Sequence, residues 1–225
     1  MHPTESARAQ FNGWRTQVAA DWMEDDPHFC AILRRHGLSG ARPEIDAFAR
    51  HAASTLDDLA RLTNEDAHLP RLRSWDGQGN RIEEIDFHPG YHTIGRLVYG
   101  TGLMAHYASP GGELHTLATM YLVSQNGEAG HACPLACTAG LIKMLQRADN
   151  APDAWLERLY DPNYDTHIHG SQFLTEVQGG SDVGTNAVTA EPTDQEGWWS
   201  LSGEKWFCSV VDAQLMLVTA RPSSA

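Results

Sequence analysis

The chain has 225 residues, with 16 Lys and Arg against 29 Asp and Glu, for a net charge of -13. That length can bury a substantial core in one large domain or two small ones. No run of about 18 apolar residues exists to cross a membrane as a helix, and the densest basic clusters, Arg34-Arg35 and Arg71/Arg73, are too small for nucleic-acid binding by counterion release.

The N-terminal residues MHPTESARAQFNGW carry no apolar stretch of signal-peptide type, so a cytoplasmic location is expected. Helical periodicity begins at once. Phe11, Trp14, Val18 and Trp22 recur three or four apart and predict a helix over Ser6 to Met23. Pro43 to Leu62 predicts a second, opened by Pro43 and striped by Ile45, Phe48, Ala52, Leu56 and Leu59. Leu69 to Pro89 reads as a connection with a DGQGN turn. Pro89 to His106 and Gly111 to Gly127 predict two helices apolar on most faces, hence buried. Pro134 to Leu145 and Ala151 to Tyr160 complete the helical half.

After Pro162 short apolar runs alternate with Gly, Asp and Pro, which are strand signals. The expected strands are Gln172 to Val177, Ala187 to Glu191, Trp198 to Ser202, Lys205 to Cys208 and Gln214 to Ala220. The predicted class is α+β: an N-terminal α-helical bundle domain over residues 1–165, then a partial antiparallel β-domain over 166–225.

The four Cys are widely spread. Reduced thiols packed as small hydrophobes are expected. Cys133 and Cys137 with His131 fall short of a zinc ligand set. His88, His92, His167 and His169 read as capping and surface residues, and no metal is expected.

Phe173 to Gly184, FLTEVQGGSDVG, leaves a strand and enters a loop of very small residues. Gly179, Gly180 and Ser181 let the backbone approach a ligand, and consecutive N–H groups there can cradle an anion such as a pyrophosphate. The plain alternative is a turn closed by Asp182 on its own backbone. Further on comes Ser202 to Ser209, SGEKWFCS.

Together these two segments resemble the acyl-CoA dehydrogenase signature x-T-E-P-x-A-G-S-D … N-G-x-K-x-W-I-T/S-N, here LTEVQGGSD and LSGEKWFCS. IDFHPGYHTI (Ile85 to Ile94) and GEAGHACP (Gly127 to Pro134) resemble the AidB-like branch of that family. The resemblance implies FAD and an acyl thioester substrate, carried by coenzyme A or an acyl-carrier protein. Carried over to this chain, it implies cofactor contacts at Phe173, Leu174, Thr175, Gly180, Ser181, Phe207, Cys208 and Ser209. Thr175 would donate toward the flavin N1–C2 edge, Gly180 and Ser181 would hold the pyrophosphate, Phe207 would pack on the ring, and Ser209 would sit near N5.

Two positions depart from the pattern. Val177 stands where the family has Pro, and Phe207 where it has Trp. For Trp206 and Phe207 the competing reading is core packing on alternate faces of a strand. Glu176 reads as a structural hydrogen-bond acceptor rather than a base. The family's catalytic Glu belongs to a C-terminal helical bundle that finds no match here, and the branch's DNA-binding surface is attributed to the same region. The expected role is thus the N-terminal part or a subunit of the oxidoreductase, completed by a companion chain or a second copy. A non-catalytic interaction subunit, or a truncated AidB-like (alkylation-response) flavoprotein, is the alternative.

Overall fold

A computed structural model of the protein describes residues 2–18, 22–23 and 25–223, the side chains of 15–18 aside. Two compact units emerge, Met1–Ala132 with Tyr160–Thr166, and Cys133–Leu159 with His167–Ala225.

The first unit is helical with one hairpin. α1 (Pro3–Val18) leaves Phe11 and Trp14 exposed. Its expected continuation through residues 19–21 lies outside the described residues, and Trp22 and Met23 sit in a turn. α2 (Pro27–Arg35) escaped the periodicity reading. Its start is nevertheless written in the sequence, because the Asp26 carboxylate accepts the Phe29 N–H at 2.8 Å and Pro27 opens the helix. α3 (Arg42–His51) continues through a π-turn at Ala52–Leu56 into α4 (Asp57–Thr63), so the single helix expected there has a wider turn at its middle.

Residues 69–89, expected as a plain connection, contain a hairpin of β1 (Arg71–Trp75) and β2 (Arg81–Asp86). Asp76 closes its turn, taking N–H groups from Gln78 and Asn80 at 2.8 and 2.9 Å. Both strands are largely exposed and cross-linked by charge, with Arg73 on Glu84 and on Asp86. They therefore lack the apolar alternation by which strands are read.

α5 (Pro89–Tyr99) is capped by the His88 imidazole, which accepts the Gly90 N–H at 3.0 Å. It ends before the expected His106, because the chain turns at Gly102 (φ 71°) into a 3-10 turn at Ala105–Ala108. α6 (Glu113–Ser124) buries Ala118, Leu122 and Val123 but leaves Leu114, Leu117 and Tyr121 exposed. The all-round burial expected of it fails because that face looks onto an open apolar groove shared with Phe29, Ile32 and Leu33 of α2. The core of this unit is Ile45, Leu56, Ile94, Val98, Leu103 and Leu122. The Tyr160–Thr166 segment docks on α5. A Cβ on Gly95 would lie 2.4 Å from the Tyr164 ring, and Arg96 forks onto Asp165 at 2.7 and 3.2 Å.

α7 (Ala129–Leu145) starts before the expected Pro134, with Glu128 accepting the His131 N–H at 2.8 Å. Pro134 removes the bond that would reach the Gly130 carbonyl, and the Tyr91 hydroxyl donates to that oxygen instead at 3.2 Å. That hydrogen bond gives the Gly130 carbonyl the partner the proline denies it.

In the second unit, Leu135 and Ile142 of α7 and Leu159 of α8 (Asp153–Tyr160) form the apolar centre with Ile168. β3 (Gly170–Phe173) lies against α7. The Gly170 N–H donates to the Thr138 hydroxyl at 2.9 Å, and a Cβ on Gly170 would fall 2.7 Å from Leu141. β3 pairs with β6 (Leu215–Val218), in parallel. β4 (Thr189–Pro192) pairs antiparallel with β5 (Trp199–Ser202) and parallel with β7 (Arg221–Pro222). The α+β class holds. The antiparallel expectation holds for β4 and β5, which a short turn joins. The other two pairs join strands separated by long excursions, which is how parallel neighbours arise.

The four cysteines are free. Burial, helped by Cys133, pushes the Cys137 thiol up to about 11, so it stays protonated near neutral pH. Among the described residues no cluster of three or more His, Cys, Asp or Glu could hold a metal, and no helix is long and apolar enough to cross a membrane.

Candidate functional site

The two segments singled out by sequence meet in the second unit. β3 ends at Phe173, and the chain then makes a tight turn in which Glu176 and Gly179 exchange backbone hydrogen bonds of 2.9 and 3.0 Å. Val177 therefore closes the turn without the family's proline, its side chain in solvent. Gly180 lies under Thr175. A Cβ on Gly180 would stand 2.7 Å from the Thr175 hydroxyl, so only glycine brings the backbone this close.

The second segment is not the strand expected at Lys205 to Cys208. Phe207 has φ 57° and Val210 φ 55°, in the left-handed region where an extended run cannot continue. The turn throws both rings outward. Phe207 is 76% exposed and Trp206 47% exposed, in an edge-on pair with centroids 5.8 Å apart. Those exposures decide against core packing for either ring. The Ser209 N–H closes back on the Phe207 carbonyl at 2.9 Å, and the Cys208 thiol donates to the Lys205 carbonyl at 3.5 Å.

One backbone bond ties the loops together, from the Trp206 N–H to the Thr175 carbonyl at 2.8 Å. Of the eight residues expected to touch cofactor, Thr175 and Gly180 are brought face to face. Phe207, Cys208 and Ser209 follow the residue that bonds Thr175. Phe173 and Leu174 are half-buried at the end of β3, and Ser181 is exposed at the rim of the glycine turn.

Beneath the loops lies a buried polar group of which sequence reasoning identified only Glu176. The Lys205 ammonium donates to the Glu176 carboxylate at 2.7 Å, the Leu174 carbonyl at 3.3 Å and the Thr219 hydroxyl at 3.2 Å. Asn186 donates to the Leu174 carbonyl at 3.1 Å and to the Thr219 hydroxyl at 2.7 Å. Glu176 also accepts from the N–H groups of Ala187 and Val188 at 2.5 and 3.1 Å and from the Gln178 amide at 2.5 Å. Burial alone would raise its pKa. The Lys205 ammonium and the Ala187, Val188 and Gln178 donors outweigh that and hold the carboxyl at about 2. Glu176 is thus a fixed anion and an acceptor, unsuited to take a proton as a base near neutral pH. Of the missed partners only Lys205 leaves a trace in sequence, as a lysine set directly before the aromatic pair Trp206-Phe207.

This fold, a helical half followed by small mixed sheets, is that of the acyl-CoA dehydrogenase-like proteins. The apo form of Bd2924 matches with a TM-score of 0.78 at 24% identity, over 92% of this chain and 43% of that one. Acyl-CoA dehydrogenase ACDH-11 of Caenorhabditis elegans, solved in complex with C11-CoA, matches with a TM-score of 0.75 at 26% identity, over 90% of this chain and 36% of that one.

Residues 12–166 match the adaptive response protein AidB N-terminal domain, and the chain belongs to that family. It is 31% identical over 210 residues to the acyl-CoA dehydrogenase-type protein AidB of Escherichia coli (strain K12), covering 87% of this chain and 38% of that protein. It is 28% identical over 217 residues to acyl-CoA dehydrogenase family member 11 of Caenorhabditis elegans, covering 88% and 34%. The chain therefore spans well under half the length of the curated relatives it matches.

Proposed function

We propose that this chain supplies flavin-ring and pyrophosphate contacts to an FAD-dependent, acyl-CoA dehydrogenase-like oxidoreductase acting on an acyl thioester. The observation that carries the reading is the junction of the two loops. An exposed aromatic pair, Trp206 and Phe207, is bonded through its backbone to Thr175, and Thr175 sits directly over a side-chain-free glycine.

Those features suit a flat cofactor bearing a diphosphate. Phe207 offers an exposed face for stacking. The Thr175 hydroxyl and N–H can donate to an electron-rich ring edge. Gly180 and Ser181 offer backbone amides to an anion. Bound FAD would supply hydride acceptance from the acyl Cβ. The chain's own residues would orient the ring, and donors at Thr175 would favour the negative charge that the reduced ring gathers, at no cost of reorganisation. Such a site lies in one family with a relative solved with an acyl-CoA, which supports the thioester as substrate class. The base that removes the Cα proton would come from a region of the relatives outside the matched portion, or from a companion chain that carries it.

Titration of the purified 225-residue chain with FAD tests the reading, followed at 450 nm and by quenching of tryptophan fluorescence. Saturable binding weakened by Thr175→Val with Ser181→Ala is expected. Absence of any flavin uptake, alone or with a companion chain, would overturn it.

The exposed Trp198, Trp199 and Leu201 on and beside β5 favour a second reading, an interaction subunit that keeps the fold without the chemistry. Full activity of an assembled complex carrying the Thr175 and Ser181 changes would favour that reading.

A further inference from the structure

We infer that Lys205 is a positioning residue, whose ammonium locks the Leu174–Glu176 segment to the Trp206–Phe207 loop so that both face one flavin. The inference rests on the cofactor reading above for its functional half, and on geometry alone for its structural half.

Residues 205 and 206 grip three consecutive residues of the opposing segment. The Lys205 ammonium takes the Leu174 carbonyl, the Trp206 N–H takes the Thr175 carbonyl, and the same ammonium takes the Glu176 carboxylate. The third proton of the ammonium goes to the Thr219 hydroxyl just beyond β6. An ammonium has three protons and no lone pair. All three are used, by a side chain that is 7% exposed facing one that is 2% exposed. No proton is left over for chemistry.

Stability alone is a poor reason for such a pair. Two charges lose their hydration on burial, and an apolar pair of similar volume often stabilises equally well. What the pair adds is direction. It defines where the Thr175 carbonyl and the Trp206 N–H sit, and Phe207 is the next residue in the chain. Phe207 is also held at a backbone angle costly for a bulky side chain, which persists only where the surroundings over-determine it. Asn186 reinforces the same two acceptors, bonding both the Leu174 carbonyl and the Thr219 hydroxyl.

The test compares the wild-type 225-residue chain with Lys205→Met and with the double variant Glu176→Gln/Lys205→Met. The double variant removes both charges and keeps an acceptor for the Ala187 and Val188 N–H groups, so a folded protein is retained even where the single variant unfolds. Two quantities are read: hydrogen exchange at the Trp206 amide without ligand, and the FAD dissociation constant by tryptophan quenching.

The expected result is loss of Trp206 amide protection and a roughly tenfold or greater rise in the FAD dissociation constant, in a double variant with near-native thermal midpoint. Retained protection at Trp206 would overturn the structural half. Lost protection with unchanged FAD affinity would overturn the functional half. If the wild type takes up no FAD, alone or with a companion chain, while Trp206 protection still falls on substitution, the cofactor reading fails and the clamp itself stands.

Discussion

In the helical unit Ile94, Val98, Leu103 and Leu122 lie buried among other apolar side chains, and the helices that carry them are held by area removed from water. In the strand unit the position nearest the candidate site is taken by Glu176, Lys205, Asn186 and Thr219, while Trp198, Trp199, Trp206 and Phe207 are turned outward. An apolar core is non-directional and tolerates repacking at constant volume. A hydrogen-bonded group specifies the position of each atom within a few tenths of an ångström. The helical unit is thus built to be stable, and the strand unit is built to hold loops in place and leave rings free.

The largest effect should come from the helical side. Leu122→Ala removes a side chain with no exposure and should cost about 2–5 kcal/mol in chemical denaturation. Leu122→Met, which conserves volume, should cost less than about 1.5 kcal/mol. A similar cost for both would contradict a non-directional core.

Next comes acid. The Glu176 carboxyl is held at about 2 against the ordinary 4.5, so its folded pKa is depressed. The stabilisation it contributes is complete above the ordinary value and is lost as pH falls from there toward about 2. Thermal melts across that window should show the wild type losing stability more steeply than Glu176→Gln. Parallel curves would mean that this ion pair is not linked to folding.

Gly180→Ala is expected to cost about 1 kcal/mol, because the new methyl meets the Thr175 hydroxyl and must displace it. It should weaken FAD binding by more than it lowers the melting temperature. The smallest change has the opposite sign. Phe207→Gly relieves a left-handed φ at an exposed residue and should stabilise the chain by up to about 1 kcal/mol while reducing FAD affinity. Loss of both stability and affinity would show that Phe207 packs rather than waits for a ligand.

Much of the helical half was legible because burial there follows one period. The stripe through Ile45, Phe48, Ala52 and Leu56 marks a helix whichever partner covers it. The hairpin at residues 71–86 was not legible, because its strands are paired by charge and show no apolar alternation. Glu128 capping and the Tyr91 bond to Gly130 carry α7 past Pro134, and a proline in isolation gives no sign of such help. In the site, Thr175, Gly180 and Phe207 were legible as residue types in a pattern, and Glu176 as an acceptor. The left-handed turn that exposes Phe207 was not, since an aromatic in a short apolar run reads as a strand.

Composition, periodicity and two short motifs determined the class, the order of helices before strands, and the family resemblance, because each depends on local spacing. Tertiary structure decided which strands run parallel, which rings face solvent and where Lys205 sends its three protons. Those outcomes depend on groups far apart in the chain, Leu174 with Lys205 and Asn186 with Thr219, and their bonds exist only once the backbone between them has closed.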